Sequence, residues 1–379
     1  MTGRTDAILL AAFAVLARPA HAQRFATADS IVRSGVTRGI YPGAVLLIGR
    51  HDGVIHAEPF GHLTWRASAP VPSPDSTLWD LASLTKVVGT MPAVLQLLAT
   101  GQLALDAPVA RYLPRYAGGG RELITVRMLL DHSSGLASYL PFFKLTPTRD
   151  SAIALLDRQT PRRTPGTRAE YSDLNFLLLG QIIETVTGQS LEDIVRHRVL
   201  EPAGLVPMLY RPPPTLADHT APTAQYRGTP LCCQVNDQNA ARWGGVAGHA
   251  GLFASGSAVA RYARLWLNGG ALDGRQLLDS SLVRLFLTPA GPGATRLLGW
   301  ERPDPRNRDD SAYGHLLSDR AYGHTGWTGT LLWIDPARDL FLILLTNRSF
   351  GSKVPHSIRA LRGVRGALAD AVVREIDRR

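Results

Sequence analysis

Residues 43–61 read GAVLLIGRHDGVIHAEPFG, two apolar runs separated by the turn-forming letters HDG. This pattern predicts an antiparallel β-hairpin near the start of the chain. A second hairpin is predicted at residues 329–347, where GTLLWID and LFLILLTN flank the polar letters PARD. The stretch LLGWER at residues 297–302 is also predicted to be a strand. Strands therefore occur in both the first and the last third of the chain.

Helical patterns occupy the remainder of the sequence. A helix is expected from Ala26 to Arg38, and another over DLNFLLLGQIIETVTGQ, where Gly188 supplies the stop. Ser190 is the expected N-cap of the helix that follows, and a last helix is predicted from about His356 to Ile376.

Together these elements predict an α/β (α+β) fold, an antiparallel β-sheet flanked by helices and built from both termini, with an inserted, mostly helical domain. We expect residues 23–90 and 245–379 to form the sheet domain. Residues 91–244 are expected to form the helical domain.

The first 22 residues have the features of a secretory signal peptide. A charged start precedes an apolar run from Ala7 to Ala17, and Ala20-His21-Ala22 fits a small-residue cleavage site. The apolar run is too short to span a bilayer, and no later segment reaches that length. The sequence therefore predicts a secreted or periplasmic protein, cleaved near Ala22 and without a stable membrane span.

The net charge of +10 does not by itself predict nucleic-acid binding. The arginines are scattered, and no basic run alternates with aromatic residues, so no nucleic-acid partner is expected. The two cysteines, Cys232 and Cys233, are adjacent, and their redox state stays open. The histidines lack metal-binding spacing, so we expect no metal and no cofactor.

Lysine is rare in this chain, which has three lysines among 41 basic residues. One of them, Lys86, stands three residues after Ser83 in LWDLASLTKVVGTMPAV (residues 78–94). On a helix this spacing places both side chains on one face. Lysine can release a proton when it is desolvated, whereas arginine stays protonated. The pair is therefore a candidate for an activated serine nucleophile at a helix N-terminus.

Two later motifs strengthen this hypothesis. AEYSDLNFLLLG contains Tyr171 and Asp173 at the start of a helix, and YGHTGWTGTLLWIDP contains His324-Thr325-Gly326. In this order, S-x-x-K, Y-S-(N/D) and (K/H)-T-G resemble the motifs of the serine β-lactamase and penicillin-binding protein superfamily. The tyrosine motif resembles the class C-like branch, which includes D-alanyl-D-alanine carboxypeptidases and esterases, and the whole pattern is most similar to serine hydrolases resembling penicillin-binding protein 4B.

The resemblance implies a role for each matching residue. Ser83 would attack an acyl carbon and form an acyl-enzyme, with its proton shared between Lys86 and Tyr171. Tyr171 is favoured as the base, because cationic groups stabilise a phenolate, but the choice between the two stays open. The backbone amides of Ser83 and Trp327 would form the oxyanion hole, and Gly326 would allow the substrate to approach the strand closely.

Two departures from the superfamily pattern bear on the substrate. His324 stands where class C β-lactamases have a lysine, and a neutral imidazole is only a hydrogen-bond partner for a carboxylate. Asp173 stands where an asparagine would donate to the substrate. An ionised aspartate cannot donate, and could instead bind Lys86. Both departures point away from efficient β-lactam hydrolysis.

We therefore expect an exported serine hydrolase of the D-alanyl-D-alanine carboxypeptidase type, acting on a small acyl substrate that peptidoglycan could supply. A carboxylesterase and a weak class C-like β-lactamase are alternatives within the family. A non-catalytic peptidoglycan-binding envelope protein is the alternative from another class. His132 is interpreted as a structural turn histidine, and whether His249 faces the cleft stays open.

Overall fold

The computed structural model describes residues 24–226, 228–293, 295–304, 306, 308 and 311–378. The predicted signal peptide, residues 1–22, lies outside the described residues. In the part of the chain that the structure describes, no helix combines the length and the apolar composition that crossing a lipid bilayer requires.

The strands, named in chain order, are β1 Gly43–Gly49, β2 Val54–Gly61, β3 Trp79–Asp80, β4 Met208–Tyr210, β5 Ala224–Tyr226, β6 Thr229–Leu231, β7 Leu252–Ala254, β8 Ala271–Leu272, β9 Arg275–Gln276, β10 Tyr322–Thr325, β11 Leu331–Asp335 and β12 Leu340–Thr346. The α-helices are α1 Ala26–Thr37, α2 Met91–Ala99, α3 Val109–Tyr112, α4 Val126–Leu130, α5 Phe142–Leu145, α6 Arg149–Asp157, α7 Asp173–Thr187, α8 Leu191–Val195, α9 Gln238–Arg242, α10 Gly256–Leu267, α11 Ser280–Phe286 and α12 Ser357–Asp377. Two π-helical turns, Lys86–Thr90 and Arg196–Leu200, and three 3₁₀ turns, Arg121–Leu123, Pro214–His219 and Arg348–Phe350, complete the regular structure.

The main sheet has the strand order β10-β11-β12-β1-β2, with antiparallel pairing between all neighbours. Two of its strands come from the start of the chain and three from the end. The fold class and both hairpins are therefore confirmed. The division into a sheet domain and a helical domain at residues 91–244 stays a prediction.

Both faces of the sheet are buried, because alternate residues of the central strands face different layers. Leu46 of β1 belongs to a core cluster that includes Val32 of α1 and Leu368 of α12. Its neighbour Val45 belongs to the larger cluster, which contains the helices of the middle of the chain. Strand β10 lies at the edge of the sheet, and Glu301 bridges its outer side at Gly323.

The prediction of a strand at residues 297–302 is wrong. This stretch makes only isolated bridges, from Glu301 to Arg296 and to Gly323, and the Leu297 amide donates to the Trp300 carbonyl within a turn. Gly299 explains the turn, because its φ of +90° is a left-handed conformation that reverses the chain.

We expect Gly248→Ala to destabilise the protein. A Cβ at Gly248 would overlap the backbone carbonyl of Phe176 in helix α7, and helix backbone cannot move aside cheaply. The expected loss is about 3 kcal/mol, to be measured as a lower urea midpoint at unchanged slope. Gly363→Ala is the control, since nothing lies within 4 Å of a Cβ there. It should stabilise helix α12 by up to about 1 kcal/mol, and equal effects of the two variants would contradict this account of the packing.

Candidate active site

Ser83 lies in the turn that begins the helical segment of the first motif. Ala82, immediately before it, has a left-handed backbone (φ 48°), and its amide donates to the buried Asp80 carboxylate at 2.8 Å. Lys86 lies one turn further, with its Nζ 3.1 Å from Ser83 Oγ. The three-residue spacing thus brings the two side chains together, as predicted.

Lys86 is fully buried, and its ammonium group has three hydrogen-bond acceptors. Nζ donates to Ser83 Oγ, to Asp173 Oδ1 at 2.8 Å and to the His249 carbonyl at 3.1 Å. Burial lowers the pKa of Lys86, but the charge of Asp173, with Tyr171, outweighs burial and leaves the pKa raised. Lys86 is therefore protonated in the resting protein, and the Asp173 carboxylate stabilises the positive charge of Lys86, as the sequence suggested.

Tyr171 lies just before helix α7 and reaches the same serine. Its hydroxyl donates to Ser83 Oγ at 2.9 Å, and Lys86 Nζ lies 4.9 Å from the centre of its ring. Burial and the Asp173 carboxylate raise the pKa of Tyr171 to about 12, against the lowering effect of Lys86. The resting side chain is a neutral phenol, so Ser83 Oγ accepts hydrogen bonds from two protonated groups.

His132 binds the backbone next to Tyr171. This buried histidine has a left-handed backbone (φ 61°), and its Nδ1 accepts from the Ser172 amide at 3.1 Å. Its ring lies 4.8 Å from the ring of Tyr171. Ser172 also donates from Oγ to the Ala137 carbonyl at 2.6 Å. These contacts agree with a structural role for His132, which stays a prediction.

His324 is buried in the edge strand β10 and is a neutral imidazole. Its Nδ1 is 2.8 Å from the Thr325 carbonyl, which can only accept, so Nδ1 carries the proton and Nε2 has a free lone pair. Burial, Lys86 and Arg296 hold the pKa of His324 well below its ordinary value. The ring centre lies 5.9 Å from that of Tyr171. His324 therefore supplies no permanent cation to the site.

The segment after His324 packs directly on the segment that leads to Ser83. Thr328 Oγ1 donates to the Asp80 carbonyl at 2.7 Å, and Thr330 Oγ1 donates to the Leu81 carbonyl at 3.0 Å. The Ser83 and Trp327 amides make no hydrogen bond to another residue of the described chain. The two amides predicted to bind an oxyanion are thus free to do so.

Ser83 and Tyr171 open into a cleft of about 1280 Å³. All the remaining predicted site residues except Lys86 also line it, namely Asp173, His324, Thr325, Gly326 and Trp327. Lys86 is buried behind Ser83. The sequence did not single out several other residues of the cleft wall, which include Tyr139, Asn236, Asp237, Arg296 and Glu301.

Asp237 and Arg296 are the most informative of the residues that sequence reasoning missed. Asp237 is 3.0 Å from His249 Nε2, and although burial raises its pKa, His249 and Lys86 bring it to about 2. In the sequence Asp237 is indistinguishable from an ordinary N-cap, which it also is. Arg296 lies over the Tyr171 ring at 5.4 Å, and no local pattern separates it from the many other arginines. His249 itself is buried and reaches the site through its backbone carbonyl.

Among the residues that the structure describes, neither a metal-binding group nor a disulfide accompanies this site. Within the described ranges, no group of three or more His, Cys, Asp or Glu side chains is placed to hold a metal ion. Cys232 and Cys233 are both free thiols in the structure.

The chain is similar to known proteins over most of its length. The family described as Beta-lactamase matches residues 28–364. An Escherichia coli (strain K12) protein with the provisional name D-alanyl-D-alanine carboxypeptidase is 30% identical over 351 residues, covering 84% of this chain and 79% of that protein. A Bacillus subtilis (strain 168) protein named N-acetylmuramyl-L-alanine amidase is 31% identical over 354 residues, covering 84% of this chain and 80% of that protein.

Among solved structures, EstCE1, described as a hydrolase with promiscuous acyltransferase activity, superimposes with a TM-score of 0.73. It is 19% identical, with 92% of this chain and 99% of that chain covered, and the likeness shows the shared fold. The family match spans most of the chain and includes all three motifs of the cleft. The protein is therefore a serine hydrolase that belongs to the β-lactamase family.

Proposed function

We propose that this serine hydrolase is an exported D-alanyl-D-alanine carboxypeptidase that works through an acyl-enzyme on Ser83. The observation that carries the proposal is the environment of Ser83 Oγ. It lies 3.1 Å from Lys86 Nζ and 2.9 Å from the Tyr171 hydroxyl, at the wall of an open cleft. This arrangement fits a serine that gives its proton to a neighbour as it attacks an acyl carbon.

In the proposed reaction, the Lys86–Tyr171 pair first loses one proton to solvent. Ser83 Oγ then forms a bond to the carbonyl carbon of the scissile peptide bond, and the Ser83 proton passes to the pair. The carbonyl oxygen becomes an oxyanion, held by the amides of Ser83 and Trp327. The C–N bond then breaks, and the departing D-alanine nitrogen takes the proton from the same pair. Water hydrolyses the resulting ester through the same groups in the reverse order.

The charge state of the pair sets the pH at which this chemistry runs. Lys86 is protonated, and Tyr171 has a pKa of about 12, so at neutral pH neither group is a base until a proton leaves the pair. The acylation rate should therefore rise with pH from the neutral into the alkaline range. The titration belongs to the coupled pair and not to one residue.

We expect Asp173→Asn to move the pH profile of acylation to lower pH. Loss of this carboxylate removes a charge that raises the pKa of both Tyr171 and Lys86. A lower pKa leaves more of the base deprotonated at pH 7, where the rate should rise by about tenfold for each unit of the fall. The measurement is the acylation rate between pH 6 and pH 10.

Asp237→Asn is the matched control for this experiment. It removes a carboxylate from the same cleft but keeps a side chain that caps helix α9 well. Its profile should move far less than that of Asp173→Asn, because Asp173 is hydrogen-bonded to Lys86 whereas Asp237 is hydrogen-bonded to His249. A rate for Asp173→Asn that falls equally at every pH would show that Asp173 only positions Lys86.

Arg296 favours a peptide substrate over a neutral ester. Lys86 is paired with Asp173, and His324 is neutral, so neither supplies a free positive charge beside the nucleophile. Arg296 lines the cleft next to Tyr171 and forms no ion pair with a described residue. A peptide that ends in a carboxylate would give this guanidinium a partner. The provisional name of the Escherichia coli relative is in accord with such a substrate.

The test compares a peptide ending in D-Ala-D-Ala with its C-terminal amide and with a neutral short-chain ester. We expect release of D-alanine from the free peptide, with a much weaker reaction of the amide. Arg296→Met should raise KM for the peptide and leave KM for the ester unchanged. Rapid ester hydrolysis without release of D-alanine would make the protein an esterase. Ready hydrolysis of benzylpenicillin would make it a β-lactamase.

Export rests on the pattern of residues 1–22 alone. The test is N-terminal sequencing of protein recovered from the periplasm after expression of the full chain. A mature N-terminus at Gln23 is expected, and uncleaved protein confined to the cytoplasm would contradict export.

A further inference from the structure

Two buried arginines outside the three motifs bind the backbone of residues 326–330. Arg365 of helix α12 is 4% exposed, and its Nη2 donates to the Gly326 and Thr330 carbonyls, each at 2.7 Å. Arg348 follows strand β12 and donates from Nε to the Trp327 carbonyl at 3.1 Å. Neither guanidinium forms an ion pair with a carboxylate in the described chain. Both cations are therefore directed at peptide carbonyls.

One of these carbonyls belongs to the same peptide unit as an amide of the oxyanion hole. The Gly326 carbonyl and the Trp327 N–H share a planar trans peptide, in which the C=O and N–H point in opposite directions. Binding of the carbonyl to Arg365 fixes the plane and leaves the N–H directed away from the guanidinium. No other residue of the described chain accepts a hydrogen bond from that N–H.

Gly326 cannot hold this peptide by itself. A Cβ there would overlap Thr330 Oγ1 and lie 2.6 Å from the Leu81 carbonyl oxygen, so packing requires glycine. Glycine restricts its backbone less than any other residue, and the peptide after it is correspondingly free to turn. The Gly326 carbonyl accepts a hydrogen bond from the Gly329 amide within the turn at 3.1 Å, and Arg365 adds the contact from outside the turn that fixes the orientation.

The charge of Arg365 adds a second effect. Burial lowers the pKa of Arg365 to about 9, so the guanidinium is still charged at neutral pH. A cation at the carbonyl oxygen polarises the peptide and makes its N–H a stronger donor, more so in a buried site than in water. The arrangement is costly for stability, since Arg365 Nε is buried without a hydrogen-bond partner.

We propose that Arg365 is a positioning residue for the oxyanion hole, which orients and polarises the Gly326–Trp327 peptide so that the Trp327 amide can bind the developing negative charge. The proposal rests on the acyl-transfer function proposed above. It assigns to helix α12, far from the motifs in sequence, a direct influence on the chemical step.

The proposal predicts that Arg365→Met lowers kcat without changing KM. The oxyanion hole contributes little to binding of the substrate in its ground state, whereas it stabilises the negative charge of the tetrahedral intermediate. We expect a loss of about 10- to 100-fold, less than the loss of a whole oxyanion donor. Hydrolysis of nitrophenyl acetate is the assay, so the result does not depend on whether the natural substrate is a peptide.

A thiono substrate distinguishes a role of Arg365 in orienting the Trp327 amide from a loss of activity caused by structural disruption. In nitrophenyl thionoacetate sulfur replaces the carbonyl oxygen, and sulfur is a weak hydrogen-bond acceptor. The wild-type enzyme should prefer the oxygen ester strongly, and Arg365→Met should reduce that preference. Arg359→Met is the control, because it removes the same charge from an exposed position of the same helix, and its preference should match the wild type.

If Arg365→Met does not fold, Arg365→Lys is the variant to measure in its place. A lysine keeps the charge but cannot reproduce the planar fork, so an intermediate preference is expected. Equal losses on both esters, in whichever variant folds, would contradict the positioning role and leave the proposed function intact. A wild-type protein with no Ser83-dependent turnover of either ester or of the D-Ala-D-Ala peptide would contradict the proposed function and, with it, this inference.

Discussion

Replacing Ser83 with alanine is expected to reduce turnover of the D-Ala-D-Ala peptide by about four to six orders of magnitude, the loss typical of a serine hydrolase without its nucleophile. The side chain contacts both Lys86 and Tyr171, which places its oxygen between the two groups. Removal leaves only the oxyanion amides and substrate binding, which accelerate the reaction weakly by comparison.

The matched control for Ser83→Ala is Ser311→Ala, because Ser311 lines the same cleft and its hydroxyl donates to the Gly314 carbonyl. This variant should retain activity within a few-fold of wild type. Thermal unfolding of both variants would establish that each is folded. Substantial activity in a folded Ser83→Ala protein would rule out the proposed acyl-enzyme.

Lys86→Arg is expected to be nearly as damaging as Lys86→Ala, with a loss of about 10²- to 10⁴-fold, the contribution typical of general acid–base catalysis. The ammonium group lies in a fully buried position with three acceptors around it, whereas a guanidinium is planar, larger and unable to release a proton. The measurement is kcat for both variants over a range of pH.

Rescue of Lys86→Ala by small primary amines would show what the lysine does. If Lys86 passes a proton during acylation, the rescued rate should depend on the pKa of the added amine. Equal rescue by amines of different pKa, or near wild-type activity in Lys86→Arg, would show that Lys86 serves only as a fixed charge. Either result would overturn the explanation of why this position holds one of the few lysines of the chain.

The parts of the fold that the sequence predicted well are those fixed by local patterns. The two hairpins and helices α7 and α12 all have strong apolar patterns, with polar turn residues between the strands and Gly188 at the end of helix α7. The strand prediction for residues 297–302 failed because the left-handed conformation of Gly299 turns the chain there. Gly299 lies against Met91, which is far away in the sequence.

The candidate site also combines features that local motifs predict with features that depend on the tertiary structure. Its motifs were visible because each is local, and the contact between Lys86 and Asp173 followed from chemistry once the motifs were brought together. The ionisation of Lys86 was not predictable, because it depends on a balance between burial and a carboxylate 87 residues away. Arg296 and Arg365 belong to no motif, and only the tertiary structure places them beside Tyr171 and Gly326.

Mapping of the covalent adduct would show whether Ser83 forms the acyl-enzyme. Wild-type protein would be mixed with benzylpenicillin or nitrophenyl acetate, quenched with acid at successive times, weighed intact and then digested. We expect one adduct per chain, located on Ser83, that is absent from Ser83→Ala. An adduct on another residue, or an unchanged adduct in Ser83→Ala, would contradict this expectation.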